Sequence, residues 1–195
     1  MATQEERRAA TRAALVEAAL DCLVDRGVAG TTTAAVCAGA GVSSGALFNH
    51  FPSKAALLGA AAERVLAAAT TDYVARFTDG AGSSDVLGDA VRLLWQIHAE
   101  PRLSAVLELF VSARTDGELA AALQAVNEPH TARVLVVARQ LLPEYADHPE
   151  FEATFDLVIS AVVGVTLGLY ADAQRKGRVE TLVGVVRAQL GTPPS

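Results

Sequence analysis

From Gly27 to Ser53 the chain runs for 27 residues without one charged side chain, although its formal net charge is −6. Three outcomes suit such a run: a buried core segment, a membrane segment, or a surface kept clear of carboxylates for an anionic partner. The run is punctuated. Thr31-Thr32-Thr33 offers a hydroxyl cap for a short helix from Thr33 to about Gly39. Ala35 stands where a capping-box Glu would sit, so that helix opens on one cap interaction instead of two. Gly39-Ala40-Gly41 then interrupts it, and Gly41 can take the positive φ that a sharp helix-to-helix turn requires. Val42 is placed to point back into the corner. Ser43 can cap a still shorter helix to about His50, and Phe51, preceding Pro52, is pushed out of helical φ/ψ. The pattern is helix, tight glycine turn, short helix. On that last helix Ser43, Ser44, Gly45, Ala46 and Asn49 are small or polar, leaving Leu47, Phe48 and Phe51 as packing candidates.

Elsewhere the periodicity is helical. Hydrophobic residues make up 51% of the chain and charged residues 19%, with no apolar/polar alternation of the kind a half-buried strand shows. The expected class is all-α. Apolar spacing predicts a first helix from Gln4 to Asp25, stopped at Gly27, and a long one from Lys54 to Phe77. Thr78–Asp85 reads as a loop. Further helices are expected over Val86–Ala99, Pro101–Ala113, Asp116–Leu142 (kinked or divided at Pro129), Glu150–Gln174 and Val179–Leu190. The division expected is residues 1–52 as a helix-turn-helix domain and 53–195 as a second helical domain, with the helix 53–77 connecting them. Charge divides the same way. Residues 1–60 hold five basic and five acidic groups, so the remaining 135 carry the whole −6. The polar N-terminus lacks the apolar stretch of a secretory signal, and two cysteines, Cys22 and Cys37, are too few for a disulfide scaffold. A cytoplasmic setting is expected.

The residues Thr32 to Lys54, TTAAVCAGAGVSSGALFNHFPSK, resemble the DNA-binding domain of the TetR family of transcriptional regulators. The match includes the Thr opening the second helix, Ala-Gly-Val-Ser at the turn, Gly45, and Leu-aromatic-x-His-Phe. It continues through Ser-Lys and the pair Leu57-Leu58. The resemblance implies ligand binding and dimerisation by residues 53–195, and a homodimer whose third helices enter the major groove of double-stranded DNA at a near-palindromic operator. It implies phosphate contacts from Thr33, His50 and Lys54, base-edge contacts from Ser43, Ser44, Gly45 and Asn49, and Thr32 and Phe48 within the same surface. The chain departs from the family pattern at Phe48, where Tyr is usual, at Ala34 and Ala35, and at Ala46. The resemblance also accounts for the uncharged run: DNA carries one negative charge per about 1.7 Å of duplex, which makes carboxylates on a docking face costly.

Beyond that segment the residues are less specific. Leu157 to Ala171 is apolar almost all round but spans only about 22 Å as a helix, short of the ~30 Å of a bilayer core. It is expected to pack in the core or against a second subunit, with Leu157, Ala161, Gly164, Val165 and Gly168 at a dimer interface. Tyr73, Phe77, Trp95, His98, Phe110, Arg114 and Tyr170 are candidates to line a cavity for a small apolar or amphipathic effector. No cofactor or metal is expected, because His50 has no ligand-type residue at metal spacing and His130 and His148 are scattered. No nucleophile elbow or phosphate-cradling loop points to an enzyme. A repressor released by its effector is the expected function; the alternative is a helical dimeric adaptor or small-molecule-binding protein that does not touch DNA.

Overall fold

A computed structural model describes residues 3–80, 83–169 and 177–191. Among them the regular elements are all helical: α1 (Gln4–Gly30), α2 (Thr33–Ala40), α3 (Ser44–His50), α4 (Lys54–Asp79), α5 (Val86–His98), α6 (Pro101–Ser112), α7 (Gly117–Leu141), α8 (Phe151–Leu169) and α9 (Arg178–Leu190), with a 3₁₀ turn over Ala113–Thr115. The chain forms two compact units. One comprises residues 1–66 and 105–128, the other 67–104 and 129–195.

In the first unit α1 opens on a capping box, with Thr3 and Glu6 exchanging hydrogen bonds. Gly27, at φ 65° and ψ −175°, breaks its helical run where the sequence places the stop. The turn beyond it returns to helix as far as Gly30, and the buried Thr31 hydroxyl donates to the Gly27 carbonyl at 2.8 Å. The apolar stripe of α1 (Leu15, Val16, Ala19, Leu20, Leu23) is buried, as are Val36, Leu47, Phe51, Leu57 and Leu58 from the next three helices. Helices α1 and α2 meet closely, and a Cβ on Gly39 would stand 3.2 Å from that of Ala18. Cys22 and Cys37 are free and buried.

The second unit is built round α5, α8 and α9. Leu87, Val91, Tyr145, Phe151, Val158, Val162, Val179, Val183, Val186 and Leu190 form its core, with Trp95 and Leu142 among the side chains packed against it. Asp85 caps α5 by accepting from the Gly88 N–H at 3.3 Å. The same carboxylate pairs with Arg92 at 2.8 Å and with Arg187 of α9, while Arg92 forks onto Glu180 with two bonds of 2.8 Å. Arg187 stands in the last turn of α9 and Glu180 in the first, so α5 and α9 are antiparallel. Donation from Arg187, then Arg92, holds the Asp85 carboxyl well below the usual carboxylate range.

Two expectations need correction, and of the two settings expected for the apolar run of α8, enclosure within one chain is not met among the described residues. Pro129 does not divide its helix: α7 is one element from Gly117 to Leu141, although the boundary between the units falls there. Phe48 is not a packing residue, being 52% exposed. The apolar helix α8 is not enclosed by its own chain: Leu157 is 51% exposed and Gly164 exposed, while Thr154, Val158, Val162 and Thr166 form its buried stripe. By length and composition Phe151–Gly168 is long and apolar enough to cross a membrane, with Glu152 and Asp156 inside the window.

Candidate nucleic-acid interface

The surface begins with caps. Thr32 opens α2 by accepting from Ala35 N–H at 3.1 Å. Gly41, at φ 66° and ψ 32°, closes α2 in the left-handed conformation, and Val42 N–H bonds the Cys37 carbonyl at 3.0 Å. Ser43 then caps α3 from outside, accepting from Ala46 N–H at 3.2 Å. Phe51, extended at φ −134° and ψ 121°, ends α3 ahead of Pro52, and Ser53 caps α4 at 3.2 Å from Ala56 N–H. Three hydroxyl caps and one left-handed glycine thus place a seven-residue helix on a corner.

Leu47 is fully buried and Phe51 nearly so, with the Arg12 guanidinium 4.8 Å above the Phe51 ring. These two anchors orient the helix. Ser43, Ser44, Gly45, Phe48 and Asn49 face outward and exposed, and Thr32 is exposed beside them. Thr33, His50 and Lys54 are half-buried, and Lys54 Nζ donates to the Val28 carbonyl at 3.4 Å, bracing the start of α4 against the end of α1. Gly45 is informative. Its backbone is ordinary helix, and a Cβ there would meet nothing nearer than Ser43 Oγ at 3.9 Å. Nothing among the described residues requires glycine at that position, which points to something approaching from outside. Sequence reasoning had placed Gly45 on this surface without that reason.

The candidate effector residues are divided by the fold. Phe110 is half-buried and Arg114 exposed in the first unit, whereas Tyr73, Phe77, Trp95 and His98 are in the second; Tyr170 lies outside the described residues. Tyr73 stacks on Phe77 at 5.8 Å and donates its hydroxyl to the Ala90 carbonyl, and burial pushes its ionisation up. His98 is tied through Nδ1 to the Leu94 carbonyl at 2.8 Å, and burial keeps its proton affinity below the ordinary range. A cleft of about 550 Å³ opens in the second unit over Phe77, Leu93, Leu142 and Tyr145, with Arg76 and Arg92 at its rim. Both arginines are already engaged, Arg76 with Gln96 and Asp72, Arg92 with Asp85 and Glu180. Of the candidates, Phe77 lines this cleft. Four buried polar atoms lack a hydrogen-bond partner among the described residues: Trp95 Nε1, of a residue already a cavity candidate, and His130 Nδ1, Thr154 Oγ1 and Thr166 Oγ1, which sequence reasoning missed; only burial marks them. No group of three metal-binding side chains gathers among the described residues.

Of the residues expected at a dimer interface, Leu157 and Gly164 are exposed and Ala161, Val165 and Gly168 half-buried. The neighbouring helix α9 exposes Thr181, Gly184, Val185 and Ala188. A Cβ on Gly164 or Gly184 would meet nothing within 4 Å.

The family model described as bacterial regulatory proteins, tetR family, matches residues 15–61. An uncharacterised HTH-type transcriptional regulator of Mycobacterium tuberculosis is 32% identical over 163 residues, covering 84% of this chain and 82% of that one. Among solved structures, a Rhodococcus sp. regulator assigned to the same family superposes with a TM-score of 0.74 at 20% identity, over 94% of this chain and 100% of the other. The multidrug-binding protein EbrR, solved with imidazole, does so with a TM-score of 0.67 at 19% identity, over 94% and 97%.

Proposed function

The chain belongs to the TetR family of bacterial regulatory proteins and is a DNA-binding transcriptional regulator, and from that premise we propose how its residues divide the work. Residues 1–52 bind DNA, and residues 53–195 serve effector binding and dimerisation, with the helix from residue 53 to 77 connecting the two. Asn49 reads a base edge. Ser43, Ser44 and Gly45 let α3 approach the groove, and Thr32, Thr33, Phe48, His50 and Lys54 lie along the phosphates. The observation that carries this reading is the exposed, carboxylate-free face of α3, with a glycine at its centre that the fold does not need. Two copies associate through α8 and α9 at a near-palindromic operator. The protein acts in the cytoplasm as a repressor, released by a small amphipathic effector and without catalysis; its relatives being transcriptional regulators supports this.

The test is selection of the bound sequence from a random duplex library, followed by salt-titrated anisotropy on the selected duplex. A selected near-palindrome bound at least 10³-fold more tightly than random duplex is expected of specific recognition. An absence of retained DNA even at low salt would favour the adaptor reading.

A further inference from the structure

Buried polar groups are nearly always hydrogen-bonded, because an unmatched donor or acceptor carries its full desolvation cost. Four unpaired ones in a single compact unit are therefore a signal. Three of them converge. Antiparallel packing of α5 and α9, fixed by Arg92 to Glu180 and Asp85 to Arg187, puts Trp95 and His98 of α5 at the end where α9 begins. Tyr145, six residues before α8 begins, lines the cleft with Val86 and Asp89 at the start of α5, so Thr166, 2% exposed in the last turn of α8, lies toward the opposite end. His130 of α7 is near enough to His98 for the two imidazoles to repel each other's charge. The end of α7, eleven residues on, lines the cleft with Val86 and Asp89 at the opposite end of α5. Thr154 is twelve residues before Thr166 on α8, about 18 Å away along the axis.

We propose that the effector is an uncharged molecule with an apolar body and a hydrogen-bonding oxygen, held by Trp95 Nε1, His130 Nδ1 and Thr166 Oγ1. This rests on the reading that the protein is effector-responsive. The indole N–H needs an acceptor; the imidazole nitrogen and the hydroxyl accept or donate as the ligand requires. Among the described residues a cation has no partner at this place: every carboxylate of the unit is exposed or tied to an arginine. An anion finds imidazoles that burial biases toward the neutral form, and the guanidinium that acts on His130, that of Arg133, is exposed to water.

Trp95 is the only tryptophan, so its emission reports on the site directly. The full-length protein without DNA is titrated with 4-propylphenol, propylbenzene and phenyltrimethylammonium, following Trp95 emission and the thermal midpoint. The phenol should shift the emission, bind at least fivefold more tightly than the hydrocarbon, and leave the cation without effect. Thr166→Val should raise the midpoint of the free protein and narrow the phenol's preference several-fold. Thr154→Val should raise the midpoint and leave that preference intact. The proposal is overturned if the phenol does not reach Trp95, if the cation binds as tightly, or if the two threonine variants behave alike. Operator binding is measured separately, so a phenol that binds without releasing DNA would remove the release mechanism and leave the site standing.

Discussion

Gly45 shows how one residue separates folding from function. A helical glycine costs about 0.5–1 kcal/mol relative to alanine, and the space around this one is open. Gly45→Ala should therefore stabilise the protein by about 0.5 kcal/mol in urea denaturation while weakening operator binding. A variant gaining on both counts would remove the glycine from the interface. Asn49, exposed and carrying the only side-chain amide of α3, should behave differently. Asn49→Ala should cost about 1–3 kcal/mol on the operator and little on random duplex, as measured by salt-titrated anisotropy. Phe48, with its ring in solvent, is positioned for Phe48→Tyr to add a phosphate hydrogen bond of about 0.5–1.5 kcal/mol. At this scale the local structure of the proposed DNA surface was legible, because caps, turn glycine and small residues all write themselves in sequence. The exposure of Phe48 was not, since an aromatic in an apolar run reads equally as core. Nor was the brace from Lys54 to Val28, a contact between residues 26 apart.

At the scale of the element, the start of α5 concentrates three functions in one carboxylate. Asp85 caps the helix, pairs with Arg92 and reaches Arg187 on α9. A Cβ on Gly88 would fall 2.1 Å from its carboxylate oxygen, so the glycine is required by the cap. Gly88→Ala should destabilise by about 1–2 kcal/mol, the worth of a lost cap, although alanine is the better helix former. Asp85→Asn tests the charge. Because the folded carboxyl titrates below its unfolded value, its stabilisation is complete above about pH 4 and disappears as pH falls through the folded value. The deficit of Asp85→Asn in thermal melts should thus be greatest near neutrality and shrink under acid. Helix boundaries were readable wherever a cap or glycine marked them. The unbroken course of α7 through Pro129 was not, because a proline inside a helical pattern reads as a break or a kink.

For the whole molecule, the proposed assembly rests on α8 and α9. Gly164 and Gly184 sit in open space on one chain, and exposed Leu157 and Val185 accompany them. Gly164→Leu should leave the monomer folded and weaken the dimer at least tenfold, which sedimentation at micromolar concentration reads directly. A wild-type monomer under those conditions would reject the interface. The sequence pattern located this helix by its apolarity, yet could not say which side the chain itself would cover. The uncharged α3 surface has a consequence of its own inside a cell. A protein that displaces few counterions holds non-specific duplex weakly, so the chromosome, with its enormous excess of wrong sites, sequesters little of it. Most copies then diffuse free, few molecules suffice to keep a promoter occupied, and occupancy changes little when osmotic stress alters the cell's salt.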